Sequence, residues 1–118
     1  MKKFFLGFKY AWQGIKYAFS TQINFKFHAV SAVLVVVLGA YYKLDLHEWL
    51  WIAAAIGLVI ASELFNTALE VLVDLVSPEY NVKAGIVKDL ASAAVLATAI
   101  MAFVIGLCVF LPKFLDAL

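Results

Sequence analysis

ELFNTALEVLVD, residues 63–74, is the stretch on which the reading of this chain turns. WLWIAAAIGLVIA, residues 49–61, precedes it with no polar side chain other than the indole N–H groups, and an alanine-rich apolar run follows from residue 90. Glu63, Asn66, Glu70 and Asp74 thus sit inside what otherwise reads as a membrane helix. Their offsets of three, four and four put all four on one stripe about 80° wide. A solvated helix end would scatter polar residues around the axis, whereas Leu64, Phe65, Ala68, Leu69, Val71, Leu72 and Val73 flank these. The stripe is expected to face protein or a water-filled cleft. Carboxylates at that depth are costly and mark function.

The composition agrees with a membrane location. Of the 118 residues 66% are hydrophobic and the mean hydropathy is +1.00, against roughly 45–50% apolar residues in soluble domains. The chain is long enough for one domain. MKKFFLGFKYAWQGIKYAF interleaves lysines with aromatics, unlike a cleaved signal peptide, so this segment is expected to stay in the mature protein. Cys108 is the single cysteine, which excludes a disulfide framework or a cysteine metal cluster and reads as a small hydrophobe. Six of the nine lysines precede the first acidic residue, Asp45, and there is no arginine. A basic, aromatic N-terminus of this kind suits an anionic lipid surface rather than nucleic acid.

Periodicity predicts an all-α integral membrane protein with three transmembrane helices and an N-terminal amphipathic interfacial helix. Over residues 1–21, Lys2, Lys9, Gln13 and Lys16 share an arc of about 60°, opposite Phe4, Phe8, Ala11, Ile15 and Ala18. STQINFKFH breaks that pattern, and the spans are expected at residues 27–44, 47–76 and 90–111. KLDLHE and SPEYNVKAGIVKD connect them, and Pro112 with Lys113 is read as the stop of the last. Ala91, Ala94, Ala97, Thr98, Ala102 and Gly106 give that span a small-residue face for close helix contact.

The lysine-rich N-terminus is expected in the cytoplasm, which turns the polar half of the second span toward the cytoplasmic face, where ATP is. Glu63 and Glu70 are seven residues apart, about 10 Å along a helix, too far to hold one ion together. Separate tasks follow. Phosphorylation of a hydroxyl needs a metal clamp on the phosphates, a cation on the developing charge and a carboxylate to take the proton. Glu70 suits the metal, Glu63 the proton, and Lys88 can meet phosphates as a point charge. GxxxxGK[ST], GxGxxG and the protein-kinase signatures are absent. His28 and His47 stand isolated and read as interfacial polar residues. A proton or ion relay through the buried acids is the competing reading.

Three blocks carry a resemblance: E-x-x-N-[ST]-A-[IL]-E-x-x-V-D over residues 63–74, E-Y at 79–80, and K-D-x-x-[SA]-A-A-V over 88–95. With FKYAWQGIKYAF and NFKFH upstream, nearly the whole chain resembles the prokaryotic diacylglycerol kinase family, small membrane lipid kinases that include the undecaprenol kinases. The resemblance implies a homotrimer in the bacterial inner membrane, with active sites shared between neighbouring subunits. It implies MgATP as phosphate donor and a lipid alcohol, diacylglycerol or alternatively undecaprenol, as acceptor. Glu63 corresponds to the catalytic base with Asn66 in the same stripe, and Glu70 to a Mg2+ ligand. Lys88 and Asp89 correspond to an ATP-contacting pair, and Glu79, Tyr80 and Asn81 to the nucleotide loop. Lys3 and Tyr10 correspond to N-terminal ATP contacts, and Trp12 and Ser92 fall in the lipid-binding region.

The chain departs from the family pattern at three positions. Lys3 stands where some members have arginine, losing a bidentate phosphate contact but keeping the charge. Asn81 stands where some have histidine. Gln22 stands where many members place a second metal-binding glutamate, and its amide oxygen is a weaker magnesium ligand. Gln22 also leaves open a catalytically silent member of the family.

Overall fold

The N-terminal lysines and aromatics wind into helix α1, Lys2–Thr21, in the computed structural model, which describes residues 1–118. Only Ala18, on its apolar arc, is buried. The chain then breaks at one residue, Gln22, whose extended backbone (φ −112°, ψ 111°) closes α1 and opens α2, Ile23–Tyr41. The loss of pattern in STQINFKFH therefore marks a corner, and α2 starts four residues before the expected span. Helices α3, Leu46–Val76, and α4, Val82–Ala117, complete the fold. Each of α2, α3 and α4 is long and apolar enough to cross a membrane. The protein is all-α, with three membrane helices and an amphipathic first helix.

The α2–α3 turn is built from local hydrogen bonds. Lys43 donates to Ala40 O at 3.3 Å and Leu44 to Gly39 O at 3.1 Å, the pair of bonds that ends a helix through a left-handed residue. Lys43, with φ 54°, is that residue and the one non-glycine with positive φ in the chain. Asp45 then caps α3: its Oδ1 accepts from Glu48 N at 2.8 Å, and Glu48 Oε1 accepts from Asp45 N at 3.2 Å. The reciprocal pair satisfies two backbone donors at the helix start. Gly39 admits the Trp49 ring so closely that a Cβ there would lie 2.5 Å from it.

Two differences from the expected limits concern α4. The connection before it is short, because Asn81 Oδ1 accepts from Lys83 N at 2.9 Å and Ala84 N at 3.2 Å and so starts the helix at Val82. Pro112 does not stop it, and the helix continues to Ala117. A proline inside a helix forfeits one hydrogen bond and clashes with the turn before it. Anchorage on α3 opposes that cost here, since Lys113 Nζ meets Glu48 Oε2 at 3.2 Å.

Helix α3 is the centre of the subunit, touching all three others. Its buried face runs Ile52, Ala55, Val59, Glu63, Asn66, at the three- and four-residue steps of one helical stripe. The polar stripe is thus the continuation of the core stripe. At one end the core is apolar, with Leu44, Ile52 and Val109 against Trp49, Tyr42 and Phe110. At the other it is Glu63, Asn66 and Thr67.

Candidate active site

Glu63 is the most enclosed large side chain, with 2% of its residue surface exposed. Its position on the core face of α3 leaves no route to solvent on its own helix. Thr67, one turn on, donates its hydroxyl to Glu63 O at 2.9 Å and so leaves the carboxylate alone. Across the interface Ser62 and Thr98 pair their hydroxyls at 2.8 Å, fastening α3 to α4 and satisfying each other. The group that reaches the carboxylate comes from α2: His28 Nε2 lies 3.2 Å from Glu63 Oε1. The approach is close but lacks hydrogen-bond alignment, so Oε1 is buried without a hydrogen-bond partner.

One turn past Glu63, Asn66 Nδ2 donates to Glu70 Oε1 at 3.3 Å, while its own Oδ1 is buried and unpartnered. Beyond that, Asp74 Oδ1 takes a 2.7 Å hydrogen bond from Lys88 Nζ, linking the end of α3 to the start of α4. Asp74 and Lys88 also line a cavity of about 140 Å³ with Ser77, Glu79, Tyr80 and Asn81. The stripe therefore passes from a buried, nearly dry carboxylate, through an amide and a half-buried carboxylate, to an open ion pair.

The structure brings Glu63, Asn66 and Glu70 onto one face, and groups Glu79, Tyr80, Asn81 and Lys88 around one cavity. The side chain of Asn81 is engaged in capping α4. Asp89 and Ser92 are exposed on α4. Lys3, Tyr10 and Trp12 are exposed on α1, and Trp12 lines a surface hollow with Lys16, Phe19 and Ser20. Gln22 sits at the α1–α2 corner, where Nε2 donates to Thr21 Oγ1 at 3.4 Å. No three His, Cys, Asp or Glu side chains converge within a subunit.

His28 stands isolated in the sequence, and only the fold brings it to Glu63. No spacing rule relates position 28 to position 63, because their meeting depends on how α2 packs on α3. Asp74 belonged to the stripe, but its pairing with Lys88 equally needed the register between α3 and α4.

A buried carboxylate on α3, a second acid on the same face and a Lys-bearing cavity at the α3–α4 turn all lie within a stretch of sequence that a known family shares. The model of the family described as prokaryotic diacylglycerol kinase matches residues 9–110. The chain belongs to that family. It is 39% identical over 113 residues to the undecaprenol kinase of Bacillus subtilis, covering 96% of this chain and 92% of that one. It is 42% identical over 112 residues to a diacylglycerol kinase of Synechocystis, covering 94% of this chain and 64% of the relative. To the diacylglycerol kinase of Escherichia coli K12 it is 33% identical over 102 residues, with 86% and 83% covered. As a member of the prokaryotic diacylglycerol kinase family the protein is a lipid kinase of a bacterial membrane, with ATP as co-substrate.

Proposed function

We propose that the protein transfers the γ-phosphate of ATP to the primary hydroxyl of a membrane lipid, diacylglycerol in the first place, with Glu63 as general base. The observation that carries this reading is the enclosed carboxylate of Glu63 on a stripe that leads to Glu70 and the Lys88 cavity. Glu63 takes the hydroxyl proton as the lipid oxygen bonds to the γ-phosphorus. The bond from that phosphorus to the β,γ-bridging oxygen breaks, and ADP leaves with the electron pair. Low dielectric around Glu63 strengthens its hold on a proton donor placed beside it.

Magnesium fits the residues of the stripe. One or two carboxylates plus substrate phosphates and water suffice for it. Glu70 supplies the carboxylate, steered by Asn66 Nδ2, and the orphaned Asn66 Oδ1 is a further oxygen within the same stripe. Bound there, the ion would neutralise phosphate charge. Gln22 would be the weaker second ligand. Lys88, Asp89, Glu79, Tyr80 and Asn81 form the nucleotide side, with Lys3 and Tyr10 as its N-terminal contacts, and Trp12 and Ser92 contact lipid. The working form is a homotrimer with the N-terminus in the cytoplasm, as the lysine excess at that end favours.

Undecaprenol is the second reading, favoured by the Bacillus subtilis relative, which aligns over almost the full length of both chains. Phosphate transfer from labelled ATP in mixed micelles, offering each lipid alcohol alone, decides between them. Glu63→Gln should abolish transfer to either lipid and leave MgATP binding largely intact. Near-normal turnover of that variant at saturating lipid would remove Glu63 as the base.

A further inference from the structure

A general base works only if its carboxylate is held at one angle, and within the subunit one side chain is placed to hold Glu63. His28 Nε2 lies 3.2 Å from Oε1. The other side-chain donors nearby are already engaged. Ser62 and Thr98 bond each other at 2.8 Å, Thr67 bonds Glu63 O, and Ser31, one turn along α2 from His28, donates to Phe27 O at 2.8 Å. Asn66 is turned to Glu70, and Asp74 to Lys88.

The other side of the histidine is apolar. A cavity of about 110 Å³ lies between α2, α3 and α4, with His28 and Ser31 at one end and Val35, Ile52, Ile56 and Val59 along its walls. His28, with 19% of its side chain exposed, has no comparable polar partner there. The ring thus stands between an apolar crevice and the buried carboxylate.

The geometry points to His28 as a positioning residue for Glu63: a ring N–H at Nε2 anchors Oε1, which fixes the carboxylate plane and leaves Oε2 for the lipid hydroxyl. This rests on the kinase reading above. In this role His28 acts through Glu63 and not on ATP or the reacting phosphorus. The 3.2 Å contact closes into an aligned hydrogen bond by a small rotation of the ring, since catalytic hydrogen bonds are often loose before substrate binds.

The test uses the full-length protein in mixed micelles, with kcat, the KM for ATP and thermal stability measured for His28→Phe and His28→Gln. Phenylalanine keeps the ring and removes the donor, whereas glutamine places an amide nitrogen near the Nε2 position. Misplacing a reacting group by about an ångström costs on the order of 10²-fold. His28→Phe should therefore lose kcat on that scale with the KM for ATP unchanged, and His28→Gln should recover most of it. Should His28→Phe fail to fold, His28→Asn takes its place, because its shorter amide does not reach Oε1 and the same loss is expected.

Near-normal kcat in the donor-less variant overturns the assignment. So does a loss that His28→Gln leaves unrepaired, which would show that ring packing is what matters. A wild-type protein that phosphorylates neither lipid alcohol overturns the kinase reading and this inference together, whereas an active wild type with an indifferent His28 overturns this inference alone.

Discussion

At the scale of single residues, the site is a gradient along one helix face, from the enclosed Glu63 through Asn66 to the half-buried Glu70 and the exposed Asp74–Lys88 pair. The weakest member of the proposed ligand set is Gln22, at the corner between α1 and α2. A charge restored there, at about 4 Å from a metal ion, adds an attraction of the order of 4 kcal/mol per unit metal charge at an effective dielectric near 20, and desolvation of the carboxylate offsets much of it. Gln22→Glu should accordingly lower the magnesium concentration needed for half-maximal rate. Superimposable magnesium curves and rates for the two proteins would put residue 22 outside the metal's surroundings. Glu70→Gln should move the same curve the other way.

At the scale of elements, the turn between α2 and α3 combines an unfavourable residue with favourable caps. Lys43 holds φ 54° at the position where a helix ends in the left-handed region, and a side chain there costs roughly 1–2 kcal/mol that glycine avoids. Glycine loses part of that advantage through the entropy of the unfolded chain. Lys43→Gly is expected to stabilise the protein by about 1 kcal/mol or less, read as a higher unfolding temperature in detergent, and a lower temperature would contradict the cap. Asp45 behaves differently with pH. The Glu48 backbone N–H that it accepts holds its carboxyl below the ordinary 3.8. The unfolded chain then takes up that proton at higher pH than the folded one. The cap's contribution is complete above the ordinary value and fades as pH falls through the lowered one. Asn also caps helices but does not titrate. Between about pH 6 and pH 3, the wild type should therefore lose stability relative to Asp45→Asn, and parallel pH curves would rule out a titrating cap.

At the scale of the whole molecule, a single subunit is under-buried. Only 12 of its 118 residues are buried, and α4 contributes just Ala91 and Val109 to that set. Lipid can cover the apolar remainder, but it cannot satisfy a polar stripe that reaches the membrane edge. An open groove of about 640 Å³ between α1 and α3, lined by Ile15, Ala18, Leu64 and Thr67, leaves further room beside the same helix. Packing of small-residue faces from neighbouring copies closes such gaps. For the homotrimer proposed above, cross-linking or mass measurement in detergent should find three copies in the active species. An active monomer would contradict the shared-site arrangement.

What the residue order determined by itself was the class of fold, the polar stripe and the family, because each depends on spacing within one helix or on a local motif. Apolar length fixes which segments can span a bilayer, and a step of three or four puts Glu63, Asn66 and Glu70 on one side whatever α3 packs against. Helix ends were less legible. Pro112 reads as a stop by local cost, yet α4 runs past it, and the length docked on α3 with the Lys113–Glu48 pair is not visible in a local window. The pairing of partners across helices was decided by tertiary structure alone. His28 with Glu63, Ser62 with Thr98 and Lys88 with Asp74 each join two helices whose relative rotation and register are set by packing. No periodicity along the chain encodes that rotation, which is why the residue that faces the proposed base appeared only once the helices were side by side.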